Sequence, residues 1–251
     1  KWRRPDMEKT LARLAAAGGS KDGTWGRDET SPVAPHVVCN MRYLPALFLL
    51  AISPAFSEFN LESTADCRLE GLAESVQSAL APDCYRVKNP AGGAVVEVRI
   101  HKAVATPPAA DPPRGSDFPT LSQGALIGVI RYLEPGGDFC GKPIPPGTYT
   151  MRFSLLPEDG NHQGVAPRRD FVLLSPPGVD RDPAAKPDYD TLVEWSRKAA
   201  GAPHPLTLFL AAPESGAKFP GVHRTRENHE ILHVKSGDLA LGIVVAGKGG
   251  E

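Results

Sequence analysis

Between residues 148 and 155 the chain alternates strictly. Tyr149, Met151, Phe153 and Leu155 occupy one parity, and Thr148, Thr150, Arg152 and Ser154 the other. Successive side chains of a strand point to opposite faces, so this period of two predicts a β-strand with one apolar face and a register that is hard to slip. The same signature places Val96, Val98 and Ile100 between Glu97, Arg99 and His101, with a partner strand expected at 84–88 that turns back through Asn89–Gly93. Runs at 126–133, 169–175 and 206–211 are partly apolar on both parities, which predicts central strands covered on each face. A last hairpin is expected from 229–235 and 239–246 around Ser236-Gly237-Asp238, where Leu239, Leu241, Ile243 and Val245 give the final strand its buried face.

Two segments carry helical spacing instead. Leu72, Val76 and Leu80 repeat every four residues before Pro82, which predicts a short helix over 71–80. Asp188 is an N-cap, Asp190 and Glu194 come early, Arg197 and Lys198 come late, and Gly201 closes, so a second helix is expected there with Leu192, Trp195 and Ala199 laid against a sheet. The chain's 26 prolines fall between the apolar runs rather than within them, as stiff connections between strands require. The expected fold is mostly β: an antiparallel β-sandwich of about eight strands with one or two short helices, with a closed β-barrel as the alternative arrangement. The stretch 105–125 is long for a plain connection, and Phe118 and Leu121 are its docking residues.

Ahead of these elements, Met41-Arg42 precedes an apolar run from Tyr43 to Ile52, then Ser53-Pro54 and small residues at Ala55 and Ser57. That three-part order is a secretory signal at 41–57, cleaved before Glu58, with an apolar run too short to span a membrane. Residues 1–40 read as an upstream extension, disordered apart from a small helix over 6–17, and residues 58–251 as a single domain. The expected location is secreted or periplasmic, with no membrane span after cleavage.

With 28 Lys+Arg against 29 Asp+Glu and no basic stripe, nucleic acid is excluded as a partner. In an oxidising compartment Cys67 and Cys84 are the natural disulfide pair, and Cys140 is left free, buried or paired with one of the other two. No Cys-x-x-Cys occurs, so no zinc knuckle or redox motif is available, and no cofactor is expected.

Motifs for catalysis fail on inspection. Gly136 to Lys142 has the spacing of a phosphate loop, but Pro143 stands where Ser or Thr would hold magnesium, and Pro143-Ile-Pro-Pro146 cannot open a helix. There is no Gly-x-Ser-x-Gly elbow and no His-Glu-x-x-His pair. His229 and His233 share one strand face with Ile231 between them and read as solvent-facing residues rather than metal ligands. The densest polar segment runs from Glu158 to Asp170, and a second cluster runs from Ser196 to Pro205. From these, His162, Asp170 and His204 are candidate catalytic residues, and Asn161, Arg169, Arg197 and Lys198 candidate binding residues for an anionic or sugar-like ligand. Ser196, His162 and Asp170 would be the members of a hydrolase triad, although no motif orients them. Loop capping and ion pairing are the alternative roles for the same residues.

Three of these stretches carry a resemblance. Gly141-Lys142-Pro-Ile-Pro-Pro-Gly147-Thr-Tyr149-Thr150, Asp159 to Phe171, and Ser196-Arg-Lys-Ala-Ala-Gly-Ala-Pro-His204-Pro205 resemble a group of exported bacterial proteins of unassigned function, over roughly residues 72–248. The first element is also similar to a wider bacterial domain family of unknown function. The resemblance implies export and a β-rich domain, and it implies no activity, ligand or catalytic residue. The leading functional expectation is therefore an exported non-catalytic binding or accessory module acting on an envelope partner or small ligand. The competing expectation is a hydrolase or metal-dependent enzyme using His162, His204 and Asp170.

Overall fold

The computed structural model describes residues 58–108, 111–158 and 168–247. The signal segment 41–57, the extension 1–40, Asn161 and His162 lie outside the described residues. The elements run β1 (Asn60–Thr64), α1 (Glu74–Ala79), β2 (Cys84–Lys88), β3 (Ala94–Ile100), β4 (Leu126–Tyr132), β5 (Gly136–Gly137), β6 (Pro143–Ile144) and β7 (Gly147–Leu155). After them come β8 (Asp170–Ser175), α2 (Tyr189–Ala200), β9 (Thr207–Ala211), β10 (Gly221–Arg224), β11 (Glu230–Ser236) and β12 (Leu239–Ala246).

Ten strands form one antiparallel sheet in the order β1-β2-β3-β4-β7-β8-β9-β12-β11-β10. Its two edges approach each other: the guanidinium of Arg224, the last paired residue of β10, lies 5.7 Å over the ring of Phe59 beside β1. The sheet thus nearly closes on itself, and of the two arrangements open from the sequence the barrel is the one realised. All eight strands expected from the sequence are present, and β1 and β10 are added at the edges.

One parity of nearly every strand fills the interior. Val98, Ile130, Met151, Val172, Leu208, Ile243 and Val234 are all buried in one cluster. Phe118 and Leu121 cork one end of it, as the docking reading of 105–125 expected, and Ile144 closes over the other with Tyr132 and Tyr149. Both corks bury apolar area that a barrel of this size would otherwise expose, at about 25 cal/mol per Å².

The doubly apolar strands have outer covers. Leu126 and Val129 of β4 pack under Leu72, Val76 and Leu80 around α1. Phe171, Leu173 and Phe209 of β8 and β9 pack under Leu192 and Val193 of α2. On β2, β3 and β4 the outer cover is ionic. Glu62, Arg86, Glu97 and Arg131 are successive cross-strand partners. Their guanidinium groups also hold the segment before α1: Arg86 donates to the Asp66 carbonyl at 2.9 Å and Arg131 to the Arg68 carbonyl at 2.7 Å. A disulfide joins Cys67 of that segment to Cys84, with Cα atoms 6.1 Å apart. Replacing both cysteines by serine releases this clamp, and a loop of this length implies a loss of about 3 kcal/mol, read as a lower urea midpoint.

Strand β7 departs from a wet polar face. Thr150, Arg152 and Ser154 are completely buried on its outer side, beneath the connection from β8 to α2. Arg152 makes a bidentate pair with Asp180, from Nε to Oδ2 at 2.8 Å and from Nη2 to Oδ1 at 2.6 Å. Its remaining donors reach the carbonyls of Gly124 at 2.9 Å, Asp182 at 2.6 Å and Ala185 at 2.7 Å. Gly124 sits at φ +75°, and a Cβ there would fall 2.5 Å from the Pro187 carbonyl oxygen, so only glycine lets the two loops meet. Asp180→Ala leaves a buried guanidinium without its counter-charge and costs about 3–5 kcal/mol. In urea denaturation Arg152→Lys does not restore the wild-type midpoint, because an ammonium group has too few donors for this set of acceptors.

Candidate functional site

Two elements build the site over the outer face of β9. The first is the β5–β6 hairpin. Asp138 shapes its turn by accepting the N–H groups of Cys140 at 2.9 Å and Lys142 at 2.8 Å on Oδ1. Gly247, just past β12, docks the hairpin by donating to the Gly137 carbonyl at 3.3 Å. A Cβ on Gly247 would lie 2.1 Å from the Asp138 carbonyl oxygen. The stretch with phosphate-loop spacing is therefore a packed hairpin, as the proline after Lys142 requires.

The second element is α2. Asp188 accepts the Thr191 N–H at 2.8 Å as its N-cap, and Gly201 ends the helix in the left-handed conformation at φ 60°. Ser196 is fully buried, donating to the Leu206 carbonyl at 2.9 Å and accepting the Leu206 N–H at 2.8 Å. That double bond folds the segment after the helix back toward it, so Arg197 and His204 border the same space. It also leaves the Ser196 hydroxyl with no free role as a nucleophile.

Between the two elements lies a cleft of about 330 Å³ with Leu156 and Phe209 in its lining and Lys142, Arg197, His204 and Cys140 exposed around it. A second cleft shares Lys142 and His204 and continues toward Ile144 and Leu206. Neither Lys142 nor Arg197 has a carboxylate partner among the described residues. His204 Nδ1 donates to the Pro205 carbonyl at 2.7 Å, since a carbonyl can only accept, and this leaves Nε2 as the free ring nitrogen. Burial and the Asp138 charge push the Cys140 thiol above its ordinary range, while Lys142 pulls weakly the other way. The thiol is therefore held protonated rather than activated.

A larger cleft of about 500 Å³ lies on the other side of the hairpin, over Phe209, Ile231 and Val244. Its polar groups are already engaged. Arg168 pairs with Asp117 at 2.9 Å, and His229 stacks on Phe139 with ring centres 4.1 Å apart while its Nε2 meets the Phe139 carbonyl at 3.2 Å. The smaller cleft is the better candidate because its charges await a partner.

The other candidates have structural work. Asp170 is fully buried and its carboxylate accepts from the Ser116 hydroxyl at 2.6 Å and the Asp117 N–H at 2.7 Å, tying down the cork at Phe118. Arg169 donates to the carbonyls of Leu156 at 2.7 Å and Arg114 at 3.0 Å, and Lys198 pairs with Glu194 at 2.7 Å in solvent. Asp170 and His204 are not brought together. Leu206 bonds opposite Leu174 while Asp170 lies level with Leu210, about 13 Å further along the strand. The sequence does not mark Lys142 as a site residue, because its signal, a lysine beside an exposed turn, coincides with the spacing of a phosphate loop that Pro143 rules out.

His229 and His233 correct the expectation of solvent-facing histidines. They do share the outer face of β11, but both are covered, at 8% and 6% exposure. Among the described residues no group of three or more His, Cys, Asp or Glu is placed to hold a metal ion. His233 lies near His223, Phe219 and Glu214, and burial draws it below the ordinary imidazole value, with the His223 charge adding to this and Glu214 opposing it. His101 is lowered for the same first reason. Unfolded imidazoles gain protons near pH 6.5 while these folded ones do not, so their contribution is complete above that pH and is lost as pH falls below it. The urea midpoint is expected to be lower at pH 5.5 than at 7.5, with a smaller drop in His233→Asn.

No protein-family model, curated protein or solved structure significantly matches this chain.

Proposed function

We propose that this protein is an exported, non-catalytic binding or accessory module of the bacterial envelope, with its ligand seat in the cleft bordered by Lys142, Arg197 and His204. One observation carries the reading. Cationic groups in the cleft have no carboxylate partner among the described residues, whereas Ser196 and Asp170, which a hydrolase would need, are buried in bonds that hold the fold. A hydrolase also needs Asp170 and His204 within reach of one substrate, and the β8–β9 register keeps them apart. Export is supported by the three-part pattern at 41–57 and by the Cys67–Cys84 disulfide, a bond that persists in oxidising compartments.

Two measurements test this. Expressed with residues 41–57 at its start, the protein is expected in the periplasmic fraction with Glu58 as its first residue by N-terminal sequencing. Retention in the cytoplasm with the leader intact refutes export. Hydrolysis of 4-nitrophenyl acetate and 4-nitrophenyl phosphate is expected to match buffer alone, and turnover that disappears in His204→Ala refutes the non-catalytic reading.

A further inference from the structure

We infer that the cleft between α2 and the β5–β6 hairpin takes a small aryl anion, a flat apolar body bearing one carboxylate, sulfonate or phosphate group. The inference rests on the reading of this cleft as a non-catalytic ligand seat, and it names the chemistry of the occupant.

The lining divides by polarity. Phe209 and Leu156 are buried with 7% and 9% exposure, so they form an apolar surface with little freedom to rearrange. Phe209 is held by Phe139, edge-on at 5.2 Å between ring centres, and by Phe171 at 6.2 Å. A fixed aromatic surface favours a flat ring over a branched or flexible chain. Around this surface stand Lys142 from the hairpin, Arg197 from α2 and His204 from the turn after it.

Neighbouring charges leave this rim cationic. Asp138, in the hairpin turn, also lines the cleft, but it is 6% exposed, its Oδ1 accepts backbone N–H groups, and its single charge is outnumbered by Lys142 and Arg197. Glu194 on α2 is already joined to Lys198. An incoming anion therefore meets unpaired ammonium and guanidinium groups, and charge-assisted hydrogen bonds to such groups are the strong ones.

The test uses 8-anilinonaphthalene-1-sulfonate as the anionic probe and N-phenyl-1-naphthylamine as the same ring system without the sulfonate. Fluorescence titration of the protein is expected to show saturable binding of the sulfonate at one site, with the neutral amine bound more weakly. Lys142→Glu/Arg197→Glu raises the Kd for the sulfonate at least tenfold and leaves the amine unchanged, about the effect of losing one charge-assisted bond. Both residues are exposed, and an unchanged circular dichroism spectrum checks that the variant is folded. Should it fail to fold, Lys142→Gln/Arg197→Gln serves in its place. Lys218→Glu, an exposed lysine on another loop, leaves the sulfonate affinity at the wild-type value. Lack of saturable sulfonate binding, equal affinity for the neutral amine, or an affinity indifferent to charge reversal overturns the inference while leaving the non-catalytic reading intact. Ester turnover lost in His204→Ala overturns that reading instead.

Discussion

The Arg152–Asp180 pair is the constraint on which the outer architecture depends. A guanidinium with no solvent contact has to find five acceptors, and here they come from Asp180 and from the carbonyls of Gly124, Asp182 and Ala185. Those acceptors lie on two different connections, so satisfying one side chain fixes both loops on the wall of the barrel. The second of them ends at Pro187, seated where Gly124 has no Cβ, and Asp188 follows at once as the cap of α2. The position of α2 over β8, and through Ser196 the turn that bears His204, both follow from this anchoring.

Closing the sheet also decides where a ligand can bind. A barrel whose interior holds Phe153, Met151 and Ile130 and whose ends are corked by Phe118 and Ile144 has given its inner volume to packing. Recognition is left to the outside. There α1, α2, the arginine-held segment 65–68 and the β5–β6 hairpin lie against the wall; the smaller cleft opens where the hairpin and α2 fail to meet over β9, and the larger one on the hairpin's other side.

The strands with strict alternation, the capped helix at 188–201 and the final hairpin were legible because each rests on local spacing. Edge strands β1 and β10 were not, since Asn-Leu-Glu-Ser-Thr and Gly-Val-His-Arg carry too few apolar positions to show a period, and they are held by pairing with β2 and β11. The sequence also cannot say whether an arginine on a strand faces water or a carboxylate 28 residues away, as Arg152 does. At the site, Arg197 and His204 were singled out from a dense polar segment, and they do border one cleft. Asp170 and Ser196 came from equally polar segments and serve packing. Composition identifies polar residues, whereas only the fold reveals which of them still have unpaired hydrogen-bonding capacity.

The chemistry of the Cys140 thiol at this cleft bears on the proposed reading of it as a binding site. The nearest nucleophile, Cys140, is exposed, yet partial burial and the buried Asp138 raise its thiol above its ordinary value. A cationic site usually has the opposite effect on a thiol, lowering it and making it reactive. Here the carboxylate that shapes the hairpin turn outweighs the lysine two residues beyond the thiol. The same Asp138 that shapes the turn before Lys142 therefore adds to the burial that holds the Cys140 thiol protonated, which supports the proposed reading of this cleft as a ligand seat rather than a nucleophilic site.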